Sequence, residues 1–474
     1  ISEDDNQQNS LVAQFLTIDG EEKGPQVYLP ADTTPDQLQV LLNSLLENEE
    51  KEAYHFRIGE FEIGNTIEDA AVKHRPEGDI FEQVIPITFL PQAPFKIRPV
   101  TRCATSMEGH KEAVLAVRFS PCGNHLVTGS GDTTLRVWDI NTCTPKHTLQ
   151  GHKNWVLCIE WSPDSKYFAS GDFVGGLRVW EASTMKCVYS NPKAHKKFIT
   201  SLSWEPLHRT SPCYRLASAG KDGMGRVWDI IQKKSLFSLS GHKMSITCIK
   251  WGGEGLIYTA SQDRTIKVYS DVEGKLVRSL EGHAHWVNTM VLNTDYPLRT
   301  GAYDFQKPAP EDPAEAKQKA LQRYLTVKGT GPEKLISGSD DNTCYVWEPS
   351  SGKKPLLRLT GHQQPVNLLS YSPDGLLLCS ASFDKSLKLW NGKTGKFIAT
   401  FRGHVGAVYQ VCWSADSRMV VSGSKDSTLK VWNLKTHKLL YDLPGHADEV
   451  YAVDWSPDGN CVASGSKDKL VKVW

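Results

Sequence analysis

Ser422-Gly-Ser-Lys-Asp-Ser-Thr-Leu-Lys-Val-Trp-Asn433 decides the fold, because it returns later in the chain as Ser464-Gly-Ser-Lys-Asp-Lys-Leu-Val-Lys-Val-Trp474. A Gly-His pair precedes each copy. That pair stands at Gly109-His110, Gly151-His152, Gly241-His242, Gly282-His283, Gly361-His362, Gly403-His404 and Gly445-His446, with Ala194-His195 in the same role. Successive histidines are 42, 43, 47, 41, 79, 42 and 42 residues apart. Every interval but one fits, or slightly exceeds, the ~40–45 residues of a repeating four-stranded unit. An Asp follows the His by 22 residues, and a Trp that Asp by 6, at Asp132 and Trp138, Asp384 and Trp390, Asp426 and Trp432, and Asp468 and Trp474.

Segments such as Ala113-Val-Leu-Ala-Val-Arg-Phe119 and Leu135-Arg-Val-Trp138 are rich in β-branched and aromatic residues. Turn residues such as Ser120-Pro-Cys-Gly-Asn124 bound them, so they read as strands. A His at a strand entry and an Asp in a following turn can meet a Trp indole N–H in a buried network, which stabilises only when every member is satisfied. The recurring His and Asp are therefore expected to be scaffold rather than catalytic or metal-binding pairs. Two units depart from the pattern: Val174 stands where the second should have its Asp, and Tyr269 where the fourth should have its Trp. Both are expected to be locally weaker. These residues resemble the WD-repeat family, whose fold is a ring of four-stranded blades, over about four fifths of the chain. The expected fold is mainly β, with an eight-bladed propeller over residues 92–474.

The last copy lacks the extended stretch, Lys438-Leu-Leu-Tyr-Asp-Leu443, that follows Trp432. An unpaired sheet edge invites slippage and aggregation. Phe95-Lys-Ile-Arg-Pro-Val-Thr101 is the unassigned extended segment beside the first unit, so residues 95–104 are expected to pair with the strand ending at Trp474. Pro99 suits an outer strand. The long interval holds an insertion, 294–333, in which Asp312-Pro-Ala-Glu315 starts a helix expected over 313–326. Its Lys317, Lys319 and Arg323 read either as a partner contact or as a solvated charged face. A smaller insertion, Glu205–Pro212, decorates the third blade.

Lys plus Arg and Asp plus Glu are 54 each among 474 residues, so any polyanion site must be local. Eleven cysteines without a CxxC or Cys/His cluster suggest reduced thiols in the cytosol or nucleus. No apolar run approaches the ~18–20 residues that span a bilayer. No phosphate-binding glycine loop, nucleophile elbow or metal-spaced His/Cys set points to an enzyme or an intrinsic cofactor. A closed propeller has no intrinsic need to oligomerise, and a monomer is expected.

After a tail of residues 1–10, residues 11–91 leave the repeat. Leu11–Ile18 and Gln26–Leu29 read as strands around a turn at Asp19–Gly24. Thr34-Pro-Asp-Gln37 then opens a helix with Leu38, Leu41, Leu42, Leu45 and Leu46 on one face. With further strands near 54–58 and 83–90, the order resembles the ubiquitin-like grasp fold. A ubiquitin-like domain before eight WD repeats is similar to the Notchless family of large-ribosomal-subunit assembly factors. Gly151-His-Lys-Asn-Trp-Val-Leu157, His285-Trp-Val-Asn288, Phe401–Gln410 and Leu443–Trp455 carry that resemblance.

The resemblance implies a nucleolar and nucleoplasmic protein whose propeller sits on precursor 60S particles. It implies a ubiquitin-like domain gripped by midasin, a dynein-related AAA ATPase. An acidic side chain of that domain would fill the open position of a Mg2+ held by the ATPase, an ion that prefers oxygen ligands in octahedral geometry. The matching position is Glu82, with Glu77 and Asp79 as rivals. No Gly-Gly terminus follows the last strand, since the chain continues Pro91-Gln-Ala-Pro94, so the domain is expected to dock rather than be conjugated. Residues 90 to 95 span at most about 17 Å. The alternative is a WD adaptor in ubiquitin ligation or Notch signalling, since fold does not fix function.

In the first four units a Lys follows the His, at Lys111, Lys153, Lys196 and Lys243, with Lys197 adjoining; the later equivalents are Ala284, Gln363, Val405 and Ala447. If these positions share a rim, half of it is positive, with Trp155, Phe198 and Trp286 beside it. That half reads as a face toward ribosomal RNA or an RNA-bound partner, or as solvated lysines with inward-packed aromatics.

Overall fold

The computed structural model describes residues 10–17, 22–46, 53–59, 61–74, 84–91, 97–140, 142–304 and 310–474. The chain divides into two units, Ile1–Lys96 and Ile97–Trp474. In the first, strands β1 (Ser10–Leu16), β2 (Val27–Pro30), β3 (Tyr54–Ile58), β4 (Phe61–Glu62) and β5 (Val84–Pro91) form one sheet ordered β2-β1-β5-β3-β4. The pair β1 and β5 is parallel, and helix α1 (Pro35–Leu45) carries the chain from β2, on one side of that pair, to β3 on the other. Pro35 opens α1, and the Thr34 N–H donates to the Gln37 side chain at 2.9 Å. The leucine stripe faces inward as expected: Leu38 and Leu42 are buried, and Leu41, Leu45 and Leu46 pack against the same core as Phe15, Phe56 and Ile87. A second helix, α2 (Ile67–His74), had no sequence expectation behind it.

The second unit consists of eight four-stranded sheets. The first strand of each packs against the first strands of its two neighbours, from Val114–Phe119 in blade one round to Val450–Trp455 in blade eight, which returns to blade one. The Ser-Gly-Ser phrase explains why neighbouring blades approach so closely. A Cβ on Gly423 would stand 2.6 Å from the Val453 side chain of the next blade, and one on Gly465 the same distance from Val114 across the ring closure. Only glycine fits there.

The strand that completes blade eight is β6 (Thr105–Met107), which pairs antiparallel with Val471–Val473. This narrows the expected 95–104 to its C-terminal end: the Ala104 N–H donates to the Val473 carbonyl at 2.8 Å, and the ladder runs on through Thr105–Met107. Met107 faces Val471 as Leu443 faces Leu429 in blade seven, so the register counts back from the Gly-His turn and leaves residues 97–103 outside the ladder. Pro99 has no N–H to give a ladder. The Ile97 N–H instead donates to Asp416 Oδ2 in a blade-seven turn at 2.9 Å, and Ile97 and Val100 are buried. Upstream backbone therefore does close the ring, but through three ladder pairs and a separate anchor.

The insertion in blade five carries two helices, α3 (Asp295–Thr300) and α4 (Pro313–Lys328). Asp312 caps α4 as expected, accepting from Ala314 N at 3.2 Å, and the helix runs two residues past 326. Lys317 is exposed and Lys319 half-buried, whereas Arg323 turns inward and donates to Thr300 Oγ1 and the Gly301 carbonyl. Short α3 was not foreseen. From it Asp295 reaches Lys250 of blade four at 2.8 Å, and Arg299 reaches Asp454 of blade eight at 3.0 Å. The smaller insertion joins the larger one: Leu207 and Cys213 share a cluster with Ala302 and Ala320, and His208 stacks on Tyr324 with ring centroids 4.6 Å apart.

Candidate interaction surface

Each blade is held by a buried polar network. His Nδ1–H donates to an Asp at 2.7–3.1 Å in all eight blades, through Asp132, Asp172, Asp222, Asp263, Asp341, Asp384, Asp426 and Asp468. His Nε2 lies 2.7–2.9 Å from a hydroxyl, that of Thr128, Ser170, Ser218, Thr259, Ser337, Ser380, Ser422 or Ser464. In seven blades the same hydroxyl accepts the Trp indole N–H at 2.8–3.0 Å. His and Trp therefore meet through a Ser or Thr that the sequence reading missed, although its constant place ten residues before the Trp marked it. In blade two the network is complete, because Asp172 takes the role assigned to the Val174 position. In blade four Tyr269 fills the Trp site, but its hydroxyl donates to the Ser240 carbonyl instead.

Burial raises the pKa of these carboxyls, but hydrogen bonds from the paired His and nearby backbone more than reverse it. Asp222 falls to about 2, and Asp132, Asp263, Asp341, Asp384 and Asp426 go lower still. The unfolded value is ~3.9, so the unfolded chain binds more protons in the intervening interval and stability rises with pH across it. The propeller is expected to lose stability steadily as pH falls from about 4 through about 2. Urea midpoints between pH 5 and 2.5 check this, and an unchanged midpoint contradicts it.

The same turns organise one face of the ring. The third residue after each His and the residue before each network turn are pinned by a backbone N–H···O bond of 2.9–3.1 Å. Around the ring the pairs are Ala113 with Gly131, Trp155 with Phe173, Phe198 with Lys221, Ser245 with Gln262, Trp286 with Asp340, Pro365 with Phe383, Ala407 with Lys425, and Glu449 with Lys467. Backbone geometry is thus repeated while the side chains differ. Lys111, Lys196 and Lys243 project from this rim, each with its own N–H bonded to the network Asp. Lys153 and Lys197 are exposed beside them.

Trp155 is 52 % exposed and Trp286 40 %, while Phe198 is half-buried. The structure brings Trp155 and Phe198 together through Phe173, which the sequence reading did not single out. Phe173 lies 5.8 Å from Trp155 and stacks on Phe198 at 5.1 Å with 17° between planes. Lys221 places its ammonium 4.8 Å from the Phe198 centroid. Trp286 stands apart beside His285, whose ring is 5.3 Å away. Glu82, Glu77 and Asp79 lie outside the described residues. Among the described residues no cluster of three or more His, Cys, Asp or Glu is arranged to hold a metal, and no helix is long and apolar enough to cross a membrane. All eleven cysteines are unpaired thiols.

A ring of WD blades after a grasp-fold domain defines a scaffold class of protein rather than an enzyme. The model for the WD domain, G-beta repeat, matches residues 101–139, 143–181, 185–229, 233–270, 353–391, 395–433 and 437–474, leaving unmatched the blade split by the insertion. The NLE (NUC135) domain model matches residues 11–71. The chain is 51 % identical to the Notchless protein homolog of Arabidopsis thaliana, with 84 % of each chain covered. It is 50 % identical to Protein Notchless of Drosophila melanogaster, covering 77 % of this chain and 75 % of that one. It is 44 % identical to Ribosome assembly protein 4 of Saccharomyces cerevisiae, covering 82 % and 79 %. The chain belongs to the Notchless family. Its fold is similar to the crystal structure of the computationally designed Ika8 protein, with TM-score 0.62, 27 % identity, and coverage of 79 % of this chain and 99 % of that one.

Proposed function

We propose that this chain is a non-enzymatic assembly factor of the large ribosomal subunit, acting in the nucleolus and nucleoplasm. The observation that carries the reading is the likeness, across both domains, to a relative named Ribosome assembly protein 4. The propeller docks on the precursor particle, with the lysine-bearing half of its rim toward ribosomal RNA or an RNA-bound protein. The ubiquitin-like domain presents Glu82 to a Mg2+ held by a midasin-type AAA ATPase, so that ATP-driven pulling remodels the particle. One carboxylate oxygen completing an octahedral shell suits a cation that keeps its other ligands on the partner.

The test is a pull-down of the ATPase metal-site domain with and without chelator. Capture by the unmodified protein should need Mg2+, and Glu82→Ala and Glu82→Asp should lose it while unfolding at unchanged temperature. Recovery of ubiquitin-ligase subunits with indifference to Glu82 would favour an adaptor instead. A second arm is co-sedimentation with precursor large subunits, which Lys153→Glu, Lys196→Glu and Lys243→Glu together should weaken while flattening its salt dependence.

A further inference from the structure

We propose that the aromatic arc of blades two and three docks an acidic linear peptide segment, which seats apolar side chains on the rings and its carboxylates on the surrounding lysines. The inference rests on the reading that the propeller docks on a particle, and names the chemistry this part of it takes. Trp155, Phe173, Val174 and Met244 are 52, 44, 47 and 45 % exposed. Trp155, Phe173 and Val174 lie together beside Phe198 of blade three, and Met244 is exposed farther along the same rim on blade four. Trp155, Phe173 and Phe198 follow one another by ring contact, and a Cβ on Gly223 of blade three would stand 2.9 Å from the Met244 carbonyl. Contiguous exposed apolar surface of this kind marks an interaction site.

Blade two departs from its siblings in order to build it. The departure is in side chains and not in backbone: Gly175, at φ +92°, stands where Thr133 (φ 69°) and Arg264 (φ 70°) stand, but the network carboxylate has moved to Asp172 at the strand end, which leaves Phe173 and Val174 in the turn positions of Gly131 and Asp132. Asp172 Oδ1 accepts from Val174 N and Gly176 N, which fixes Phe173 and Val174 toward solvent. A departure from the repeat that exposes two large apolar side chains has no value to the scaffold.

The charge is complementary to an acid. Lys111, Lys153, Lys196, Lys197, Lys221 and Lys243 are exposed around the rings, while Asp132, Asp172, Asp222 and Asp263 turn inward to histidines; Glu112 is an exposed acid at the blade-one end. A stacked nucleobase suits the arc less well. Phe173 and Phe198 spend a face on each other, and Val174 and Met244 offer no π surface, whereas base recognition of this kind uses free aromatic faces. Aliphatic and ring-edge contacts with a Trp anchor are what a peptide side chain uses.

The experiment selects a random twelve-residue peptide display library on the intact protein, then measures one enriched peptide by fluorescence anisotropy. The expected pool is rich in Asp and Glu flanking Leu, Ile or Phe. Trp155→Ala and Phe173→Ser, both at exposed positions, should each weaken the peptide by about tenfold or more, and Lys196→Glu should weaken it at low salt. Glu82→Ala should leave it unchanged. A pool without acidic bias, or affinity unmoved by Trp155→Ala and Phe173→Ser, overturns the proposal. A twelve-nucleotide single-stranded RNA that displaces the peptide and itself needs Trp155 overturns it in favour of RNA. Failure of the unmodified protein to co-sediment with precursor particles sinks the assembly reading and leaves the peptide result standing.

Discussion

Asp454→Ala is expected to lower the free energy of unfolding by about 3–5 kcal/mol, the range for removing one partner of a buried ion pair. Asp454 is 1 % exposed on the first strand of blade eight. Its Oδ2 accepts the Phe119 N–H of blade one at 2.9 Å, and its Oδ1 accepts from Arg299 of α3 at 3.0 Å. Arg118 of blade one stands 3.9 Å away and also reaches Glu160 of blade two at 3.5 Å. One carboxylate thus joins the two sides of the ring closure to a helix contributed by blade five. Removing it strands a buried amide N–H and leaves Arg299 without its hydrogen-bonded carboxylate. Asp454→Asn, which keeps an acceptor, should lose less. Urea denaturation of Asp454→Ala, Arg299→Met and the double variant checks this, with a coupling energy of about 1–3 kcal/mol expected. Strict additivity would show that α3 does not brace the closure.

The second large effect separates two neighbouring residues. Asp172→Ala should cost about 3 kcal/mol or more, because it leaves His152 Nδ1 and the N–H groups of Val174 and Gly176 without their acceptor. Val174→Ala should stay within about 0.5 kcal/mol, as for other surface substitutions. Asp426→Ala in blade seven is the comparison, since Asp426 binds His404 at 2.8 Å and caps Thr428 through both its amide and its hydroxyl. Similar losses at Asp172 and Asp426 would show that blade two is as well braced as blade seven. A negligible loss at Asp172 would restore the view that blade two lacks its carboxylate.

These two residues also show where sequence reading stops. Counting 22 residues from His152 lands on Val174, yet the carboxylate arrives from 20 residues on, because Asp172 stands at the strand-end position opposite Val156 that Ser130 holds opposite Val114, while the turn backbone itself is the same. Likewise 95–104 was the right neighbourhood for ring closure, while the register was fixed by Met107 taking Leu443's place opposite the ladder. On the rim, Trp155 and Phe198 were legible from their offset after the His. Phe173 and Lys221 were not, because their closeness to those rings comes from a turn in a different part of the repeat. Glu82 rests on family resemblance alone.

Eight blades, their strand order, the scaffolding histidines and the grasp-fold helix were written in the chain, since each depends on residues at short, repeated separations whose periodicity survives in one dimension. Tertiary structure alone decided the register in which the upstream backbone closes the ring, which carboxylate serves blade two, what α3 grips, and which side chains become neighbours on the rim. Those outcomes depend on single contacts between residues such as Arg299 and Asp454, 155 positions apart. A contact made once across such a distance leaves no repeating trace in the sequence.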